Sequence, residues 1–251
     1  MLSTSGRAYK AHGIVLRARN LGEADRIFTL FTDERGKVDA VGKGVRRPKS
    51  QLAGRLEFAS EMALGMHRGR ALDVITSADR LAAPWARIVD PAAFATAHLV
   101  AELVDAFCEP DLALPDVYAL LRGALRALTA AREPARLVPR FELRLLGTLG
   151  IGPQCDVCIS CGDPLSGAPA WADVEAGGLA CERCRPHASD ALALEPHDVA
   201  NFRGLAADRG AVVTPAMHAT PAAARAVDAF LTWHLGRRPK ASLLLADFAA
   251  G

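Results

Sequence analysis

Residues 1–80 show the short, loosely alternating runs of apolar and polar positions that are typical of β-strands. The runs DRIFTLFT and KVDAVGKG flank the turn DERG, and the runs EFASEMALGM and ALDVITSA flank HRGR. Each turn contains glycine, so we expect two hairpins. Together with the earlier run AHGIVLRAR, they make five short strands in about 75 residues. A barrel of the OB type fits best, because closing a sheet removes its exposed edges.

From about residue 81 the apolar positions recur with the helical period. Three stripes have this spacing: Val117, Leu120, Leu121, Ala124, Leu125 and Leu128; Phe94, Ala97, Ala101, Val104 and Cys108; and Leu137, Phe141, Leu145 and Leu149. Further helices are expected near residues 196–208 and 222–235, and Cys108 is expected to be a small core residue. We therefore predict an α+β fold, with a five-stranded OB-type β-barrel over residues 1–80 and a mainly α-helical domain over 81–251.

The charge of the chain is unevenly distributed, although its net value is only +2. Residues 1–80 carry a balance of +6, and residues 81–251 a balance of −4. A basic front half indicates either a polyanionic partner or a solvated basic face. No apolar run reaches the ~18 residues of a membrane span, and the start MLSTSGRAYKAHG lacks the apolar core of a secretory signal. We therefore expect a cytoplasmic protein without a membrane partner.

Five cysteines lie close together in CDVCISCG and CERC, at positions 155, 158, 161, 181 and 184. Two Cys-x-x-Cys pairs about twenty residues apart have the spacing of a structural zinc site. The residue after such a pair favours positive φ, which suits Gly162 but not the branched Ile159. We therefore predict a zinc module at about residues 153–188 with these ligands: Cys158, Cys161, Cys181 and Cys184.

Other interpretations of the cysteines stay open. An iron–sulfur cluster and ordinary thiols are alternatives, although the closely following Cys-Pro of ferredoxin-type runs is missing. Cys155 is expected to be a spare, half-buried thiol. His187 is a possible substitute ligand, ranked below an ordinary surface histidine.

A second candidate site is the loop VGKGVRRPKSQLAGR, which has no acidic residue. Such a loop at the mouth of a barrel can follow a phosphate backbone, whereas the simpler interpretation is a mobile, solvated loop. The predicted DNA-binding residues are its five cations and two at the tip of the first hairpin: Lys43, Arg46, Arg47, Lys49 and Arg55, with Arg35 and Lys37. If that loop is not the site, a helical face with Arg122, Arg126 and Arg132 is the alternative.

Enzymatic chemistry is not indicated by any motif in the sequence. The stretch from Gly36 to Gly44 resembles a nucleotide-binding P-loop, but the spacing is one residue too long. Gly44 also stands where Ser or Thr should bind magnesium, so we expect no nucleotide binding. The seven histidines are scattered, and Asp and Glu occur singly. An enzyme with an unrecognised active site is kept as a third hypothesis.

Several stretches of the chain resemble a known family. They are GIVLRARNLGEADRIFTLFTDERGKVDAVGKGVRRPKSQLAGRLEFAS, AELVDAF and RFELRLLGTLGIGPQCDVCISCG. The most specific pieces are the turn at residues 22–25, the loop GKGVRRPKS, and LLGTLGIGP before the first cysteine pair. On these motifs, nearly the whole chain resembles the RecO family of bacterial DNA repair and recombination mediators. One departure is Cys155, where members usually carry an apolar residue.

The resemblance implies an N-terminal OB fold, a helical C-terminal domain and, in many members, a four-cysteine zinc module. It also implies binding of single- and double-stranded DNA, annealing of complementary strands, and cooperation with RecR. With these activities, such a protein helps to load a RecA-type recombinase onto DNA coated by single-stranded DNA-binding protein, at the nucleoid and without catalytic turnover. The alternative is an RNA-binding protein of transcription or translation, with an OB fold and a zinc ribbon.

Overall fold

The computed structural model describes residues 7–50, 52–82, 90–187, 191–207 and 218–249. The chain divides into two compact units, Met1–Thr129 and Ala130–Gly251. The first holds the strands of a barrel and two helices, and the second holds the cysteine module and the later helices. Strands give way to helices near residue 80, as expected. That a domain boundary lies at this residue stays a prediction.

The first unit contains a closed barrel of five antiparallel and parallel strands in the order β1-β2-β3-β5-β4. Its strands are β1 (Ala8–Leu21), β2 (Asp25–Thr32), β3 (Gly36–Gly42), β4 (Glu61–His67) and β5 (Asp73–Ala82). Strand β1 pairs with both β2 and β4, and the parallel pairing of β3 with β5 completes the barrel. The predicted OB-type barrel and its two hairpins are confirmed. Residues 57–60, expected to begin the fourth strand, instead form a turn before β4.

The interior of the barrel is filled by side chains from alternating strand positions. The core cluster includes Val15, Phe28, Leu30, Met62 and Met66. Phe28 and Phe31 are fully buried. Burial of these side chains is the main favourable term in the stability of the barrel.

Two helices follow the barrel within the first unit: α1 (Pro91–Phe107) and α2 (Pro115–Leu128). The residues that connect them contact the turn between β2 and β3. Gly36 approaches this connection so closely that a Cβ atom there would lie 1.8 Å from the carbonyl oxygen of Leu112. Gly36 also has φ of 64°, a conformation that glycine adopts without strain.

The predicted stripe on α1 is correct in its last four positions and wrong in its first. Ala97, Ala101, Val104 and Cys108 are buried, but half of the surface of Phe94 is exposed (50%). Residues of α1 contact β1 of the barrel and α2, and these neighbours do not cover Phe94. Sequence periodicity identified the helix correctly but could not show where its covered surface ends.

The second unit combines helices with a small antiparallel sheet. Its helices are α3 (Val138–Thr148), α4 (Pro196–Ala206), α5 (Pro221–Leu235) and α6 (Lys240–Ala249). Its strands are β6 (Ala170–Asp173), β7 (Gly178–Cys181) and β8 (Leu192–Leu194), in the order β7-β6-β8. The sequence analysis predicted α3, α4 and α5 but neither this sheet nor α6. In the described part of the chain, no helix is both long and apolar enough to cross a membrane.

Proline at the first helical position marks the start of several helices. It opens α1, α2, α4 and α5, where the missing N–H leaves no hydrogen bond unmade. Asp90 caps α1 by accepting a hydrogen bond from the N–H of Ala92, and Thr220 caps α5 in the same way. These local signals set the helix boundaries independently of the tertiary contacts.

Helix α3 carries a buried acidic residue, Glu142. Burial, with a smaller contribution from the charge of Asp228 on α5, raises its pKa from 4.5 to about 8. Glu142 is therefore protonated in the folded protein at neutral pH, whereas it is ionised in the unfolded chain.

The contact at Gly36 predicts a large difference between two glycine substitutions. Gly54 has a similar φ of 69°, but a Cβ atom added there would have no heavy atom within 4 Å. Both Gly36→Ala and Gly54→Ala incur about 1–2 kcal/mol for the left-handed conformation. We expect Gly36→Ala to lower the free energy of unfolding by at least about 2 kcal/mol more, because the backbone must also move. Urea denaturation followed by circular dichroism measures both; equal effects would contradict the close approach.

Glu142 predicts a pH-dependent difference in stability between the wild type and Glu142→Gln. The pKa of Glu142 is higher in the folded protein than in the unfolded chain, so protonation of Glu142 stabilises the folded state. This stabilisation is lost as the pH rises toward 8. The variant should therefore be more stable than the wild type at pH 7, and its advantage should shrink by about 1.4 kcal/mol for each pH unit toward 5. Urea denaturation at several pH values tests this, and a constant difference would contradict it.

Candidate nucleic-acid interface and metal centre

The chain between β3 and β4 forms a cationic surface that is attached to the barrel core. We call residues 43–60 the basic segment; residue 51 lies outside the described residues. Its apolar residues Val45 and Leu56 are buried in the barrel core cluster, and Leu52 packs against it. Four of its cations beside these anchors are exposed: Lys43, Arg46, Arg47 and Lys49. The segment therefore holds its positive charge on the outside of a packed structure.

Backbone hydrogen bonds hold the start of the basic segment against the turn between β1 and β2. The N–H of Gly44 donates to the carboxylate of Asp25 at 2.7 Å. The backbone N–H of Arg46 donates to the carbonyl of Ala24 at 2.9 Å, and its guanidinium donates to the carbonyl of Gly22 at 3.0 Å. The turn at residues 22–25 and the GKGVRRPKS loop, two distinctive motifs of the sequence, thus form one contact.

The end of the basic segment is fixed to β1 at an irregularity in that strand. The pairing of β1 with β2 shifts register between Val15 and Arg17. At this point the carbonyl of Val15 accepts a hydrogen bond from the N–H of Ala59 at 2.8 Å. The N–H of Val15 donates to the backbone carbonyl of Ser60 at 3.2 Å. A bulge therefore frees backbone groups of β1 to hold the segment.

Arg35, one of the predicted DNA-binding residues, lies in a structural network. Its guanidinium donates at 2.6 Å both to Asp73 and to the hydroxyl of Tyr9, and it also pairs with Asp111. Burial opposes ionisation of Asp73, but hydrogen bonds from Tyr9, Arg35 and the N–H of Gly69 hold its pKa below the usual value. Only 19% of the Arg35 side chain is exposed, so little of it is available to a ligand.

Lys37 is held in a similar way. Its ammonium group lies 2.5 Å from the carbonyl oxygen of Asp105 and 3.4 Å from the carboxylate of that residue, and 16% of its side chain is exposed. Arg55, by contrast, is half exposed and contacts Asp79 at 3.2 Å. The seven predicted residues therefore separate into five on the basic segment and two that attach helices α1 and α2 to the barrel.

The alternative cationic face on the helices is also partly engaged. Arg122 and Arg126 both contact the nearly buried carboxylate of Glu61, at 3.6 Å and 2.8 Å. Removing either would leave this carboxylate with less compensating charge. Arg132 is exposed and lies in the second unit.

Sequence analysis missed further exposed cations around the barrel. Arg68 and Arg70 lie in the turn between β4 and β5, and Arg26 follows the turn between β1 and β2. These are the two loops that flank the oligonucleotide-binding surface of OB folds. The strand order, which the amino-acid pattern alone did not establish, is the signal that identifies them.

The predicted cysteines converge in the second unit. One sulfur atom from each of Cys158, Cys161, Cys181 and Cys184 lies within 4.8 Å of the others, and the Cys161 and Cys181 sulfurs are 3.7 Å apart. A tetrahedral ion bound to sulfur at about 2.3 Å places its ligands about 3.8 Å apart. The four side chains therefore fit a single metal ion.

Local backbone conformation positions the first pair. The N–H of Gly162 donates to the carbonyl of Cys158 at 2.9 Å, and Gly162 has φ of 76°, the positive value that the sequence analysis expected. The second pair begins at Cys181, the last residue of β7, whose N–H lies 3.3 Å from the sulfur of Cys158. The knuckle and the strand end thus bring both pairs to one point.

The other candidate ligands lie outside this cluster. Cys155 is buried, and burial raises the pKa of its thiol to about 11. His187 is exposed and does not belong to the cluster. The geometry therefore gathers the four sulfurs that the sequence analysis selected and leaves Cys155 as a fifth, separate thiol.

The four thiols cannot all ionise without a compensating positive charge. Burial opposes ionisation of Cys158, but the N–H groups of Cys161, Cys181 and Ser160 lower its pKa to about 6. Hydrogen bonds with Cys161 and Cys181 raise the pKa of Cys184 to about 12. A divalent cation would supply the missing charge and favour four thiolates.

Comparison with known proteins identifies the family of the chain. The family model described as Recombination protein O N terminal matches residues 7–83, and Recombination protein O C terminal matches residues 89–243. The chain belongs to the RecO family. The DNA repair protein RecO of Bifidobacterium adolescentis is 42% identical over 191 residues, covering 73% of this chain and 76% of the relative.

Other relatives match over almost their full length. The DNA repair protein RecO of Nocardioides sp. is 37% identical over 236 residues, covering 91% of this chain and 95% of the relative. That of Frankia casuarinae is 37% identical over 241 residues, covering 91% and 94%. RecO membership agrees with the OB-type barrel and favours the DNA-repair interpretation over the RNA-binding alternative.

The cysteine geometry predicts that two neighbouring substitutions differ in metal content. Cys158→Ser removes a sulfur from the cluster, whereas Cys155→Ser removes a buried thiol outside it. We expect the first variant to lose bound metal after dialysis and the second to retain one ion per chain, because a structural site needs all four ligands. Elemental analysis measures this, and loss of metal from both variants would contradict the assignment.

Proposed function

We propose that this protein is a DNA repair and recombination mediator that binds single- and double-stranded DNA and anneals complementary strands. Its membership of the RecO family supports the DNA-repair role. The observation that carries the binding mode is the basic segment, whose apolar residues are buried in the barrel while four cations face outward. Arg55 extends this surface toward β5, and Arg68 and Arg70 add charge in the β4–β5 turn.

The geometry supports contact with the sugar-phosphate backbone. Exposed Lys and Arg side chains neutralise phosphates and release counterions, and these contacts carry no sequence information. Strand annealing requires two like-charged strands to approach while their base-pairing edges stay accessible. Contacts to phosphate meet both requirements, so one surface screens the charge and leaves most bases free.

The protein also helps to load a RecA-type recombinase onto DNA coated by single-stranded DNA-binding protein, in cooperation with RecR. This part of the proposal rests on the family resemblance. The site of action is the cytoplasm, at the nucleoid, and the work involves neither nucleotide binding nor catalytic turnover. The absence of nucleotide binding agrees with the P-loop-like stretch, because Gly36–Gly42 is a strand of the barrel and not a loop before a helix.

The metal at the cysteine cluster is Zn²⁺ in a structural role. All four ligands are sulfur, which suits zinc, and a site with four protein ligands has no open position for an activated water. A multi-iron cluster bonds different cysteines to different iron atoms and needs more room than four sulfurs within 4.8 Å of one another leave. The ion would hold together the short strands of this module, whose own apolar core is small.

A triple substitution in the basic segment tests the proposed interface. We expect Arg46→Ala, Arg47→Ala and Lys49→Ala together to weaken binding of both single-stranded and duplex DNA at least about tenfold at low salt. The slope of log affinity against log salt for single-stranded DNA should fall by about 2, since each lost phosphate contact contributes about 0.7. Fluorescence anisotropy measures the affinities, and strand annealing without nucleotide should slow in parallel.

A charge-matched control separates this interface from general electrostatics. The triple variant Arg132→Ala, Arg136→Ala and Arg225→Ala removes three exposed cations of the second unit. It should retain most of the affinity and the full salt slope. If both variants lose affinity equally, or if the basic-segment variant binds normally, the interface lies elsewhere.

A further inference from the structure

Among the described residues of the first unit, three rings form an aromatic cluster next to the basic segment. Phe58, at the end of that segment, stacks on His98 of α1, with ring centroids 3.8 Å apart and planes 2° apart. Phe94, one turn earlier on α1, meets His98 edge-to-face at 4.5 Å and Phe58 at 5.8 Å. These contacts hold the ring of Phe94 in place on two other rings.

Phe94 is the solvent-facing member of this cluster. Half of its surface is exposed, although it continues the apolar stripe of α1 and is supported from beneath by Phe58 and His98. A large apolar ring held rigidly at the surface offers contact area at little cost in side-chain entropy, a feature of binding sites. Among the described residues, none of the three rings belongs to the barrel core cluster.

The surroundings of the cluster indicate what would bind there. Phe58 lies three residues after Arg55, so their Cα atoms are at most about 11 Å apart. Arg55 is half exposed, and the nearby acids Glu57 and Asp79 are paired with Arg80 and Arg55. Cation and ring thus occur together at one end of a surface proposed to follow a phosphate backbone. An unpaired nucleotide presents an anionic phosphate and a flat apolar base, and so matches both features.

His98, the ring that stacks on Phe58, is uncharged at neutral pH. Burial lowers the pKa of His98, so the imidazole is neutral at neutral pH. A neutral imidazole packs on Phe58 without the desolvation cost of a buried charge. The stack of His98 on Phe58 therefore carries no buried charge at neutral pH.

We infer that Phe94 stacks on one unpaired nucleobase of the single-stranded DNA that the basic segment holds. The inference rests on the proposed DNA-binding function and adds a contact that only single strands can make, because bases in a duplex already stack on one another. A single ring engages one base and leaves neighbouring pairing edges free, so the contact is compatible with annealing. It gives the protein a preference for single strands that phosphate contacts alone do not supply.

The variant Phe94→Leu tests this inference, because it keeps an apolar side chain and removes the aromatic ring. We expect about five- to tenfold weaker binding of an oligothymidylate, the lower end of the range for one stacked base. Binding of a duplex of equal length, and of an oligomer with the same backbone but abasic residues, should be unchanged. The salt slope should also be unchanged, because no phosphate contact is removed. Fluorescence anisotropy measures all three ligands.

The matched control is Trp233→Leu, which removes an aromatic ring of similar exposure (51%) from the second unit. It should bind all three ligands like the wild type. Unchanged oligothymidylate affinity in Phe94→Leu, or an equal loss for the duplex and the abasic oligomer, would overturn the inference. That equal loss would mean that Phe94 only supports the basic segment. The basic-segment triple variant is measured in parallel, so failure of the stacking contact is distinguishable from failure of the proposed interface.

Discussion

The structure of the first unit depends on how the core of the barrel is covered between β3 and β4. The connection that runs between these strands places Val45 and Leu56 in the core cluster, where they pack with residues of the strands. Its polar and charged residues must then face solvent, because burying an unpaired charge costs far more than burying a side chain gains. The same apolar contacts that complete the barrel therefore fix a cationic surface on its outside.

A second consequence of the fold is that nearby cations differ in what they do. The turn after β2 meets the connection between α1 and α2, and there Arg35 and Lys37 bind Asp73, Asp111 and Asp105. In the basic segment, the sequence offers no acid between Lys43 and Arg55. Charge that is matched by nearby carboxylates stabilises the attachment of the helices, whereas unmatched charge is available to a polyanion.

The cysteine module of the second unit has only a small apolar core. Its strands are three or four residues long, too short to build a large apolar core by themselves. Four sulfurs brought to one point by a glycine-containing knuckle and a strand end could hold a metal ion, which in the proposed function crosslinks the module. The DNA-binding proposal does not require this ion to contact a ligand.

The amino-acid sequence by itself determined the features that depend on neighbours along the chain. Strand alternation and turn residues predicted the barrel strands, the helical period predicted α1 to α5, and the pair spacing with Gly162 selected the four clustered sulfurs. Tertiary structure alone decided which cations are matched by acids, because Asp105 and Asp111 lie far from Lys37 and Arg35 in sequence. It also decided that Phe94 is exposed while the rest of its stripe is buried. Periodicity reports which side of a helix is apolar, whereas the extent of burial depends on where the neighbouring elements end.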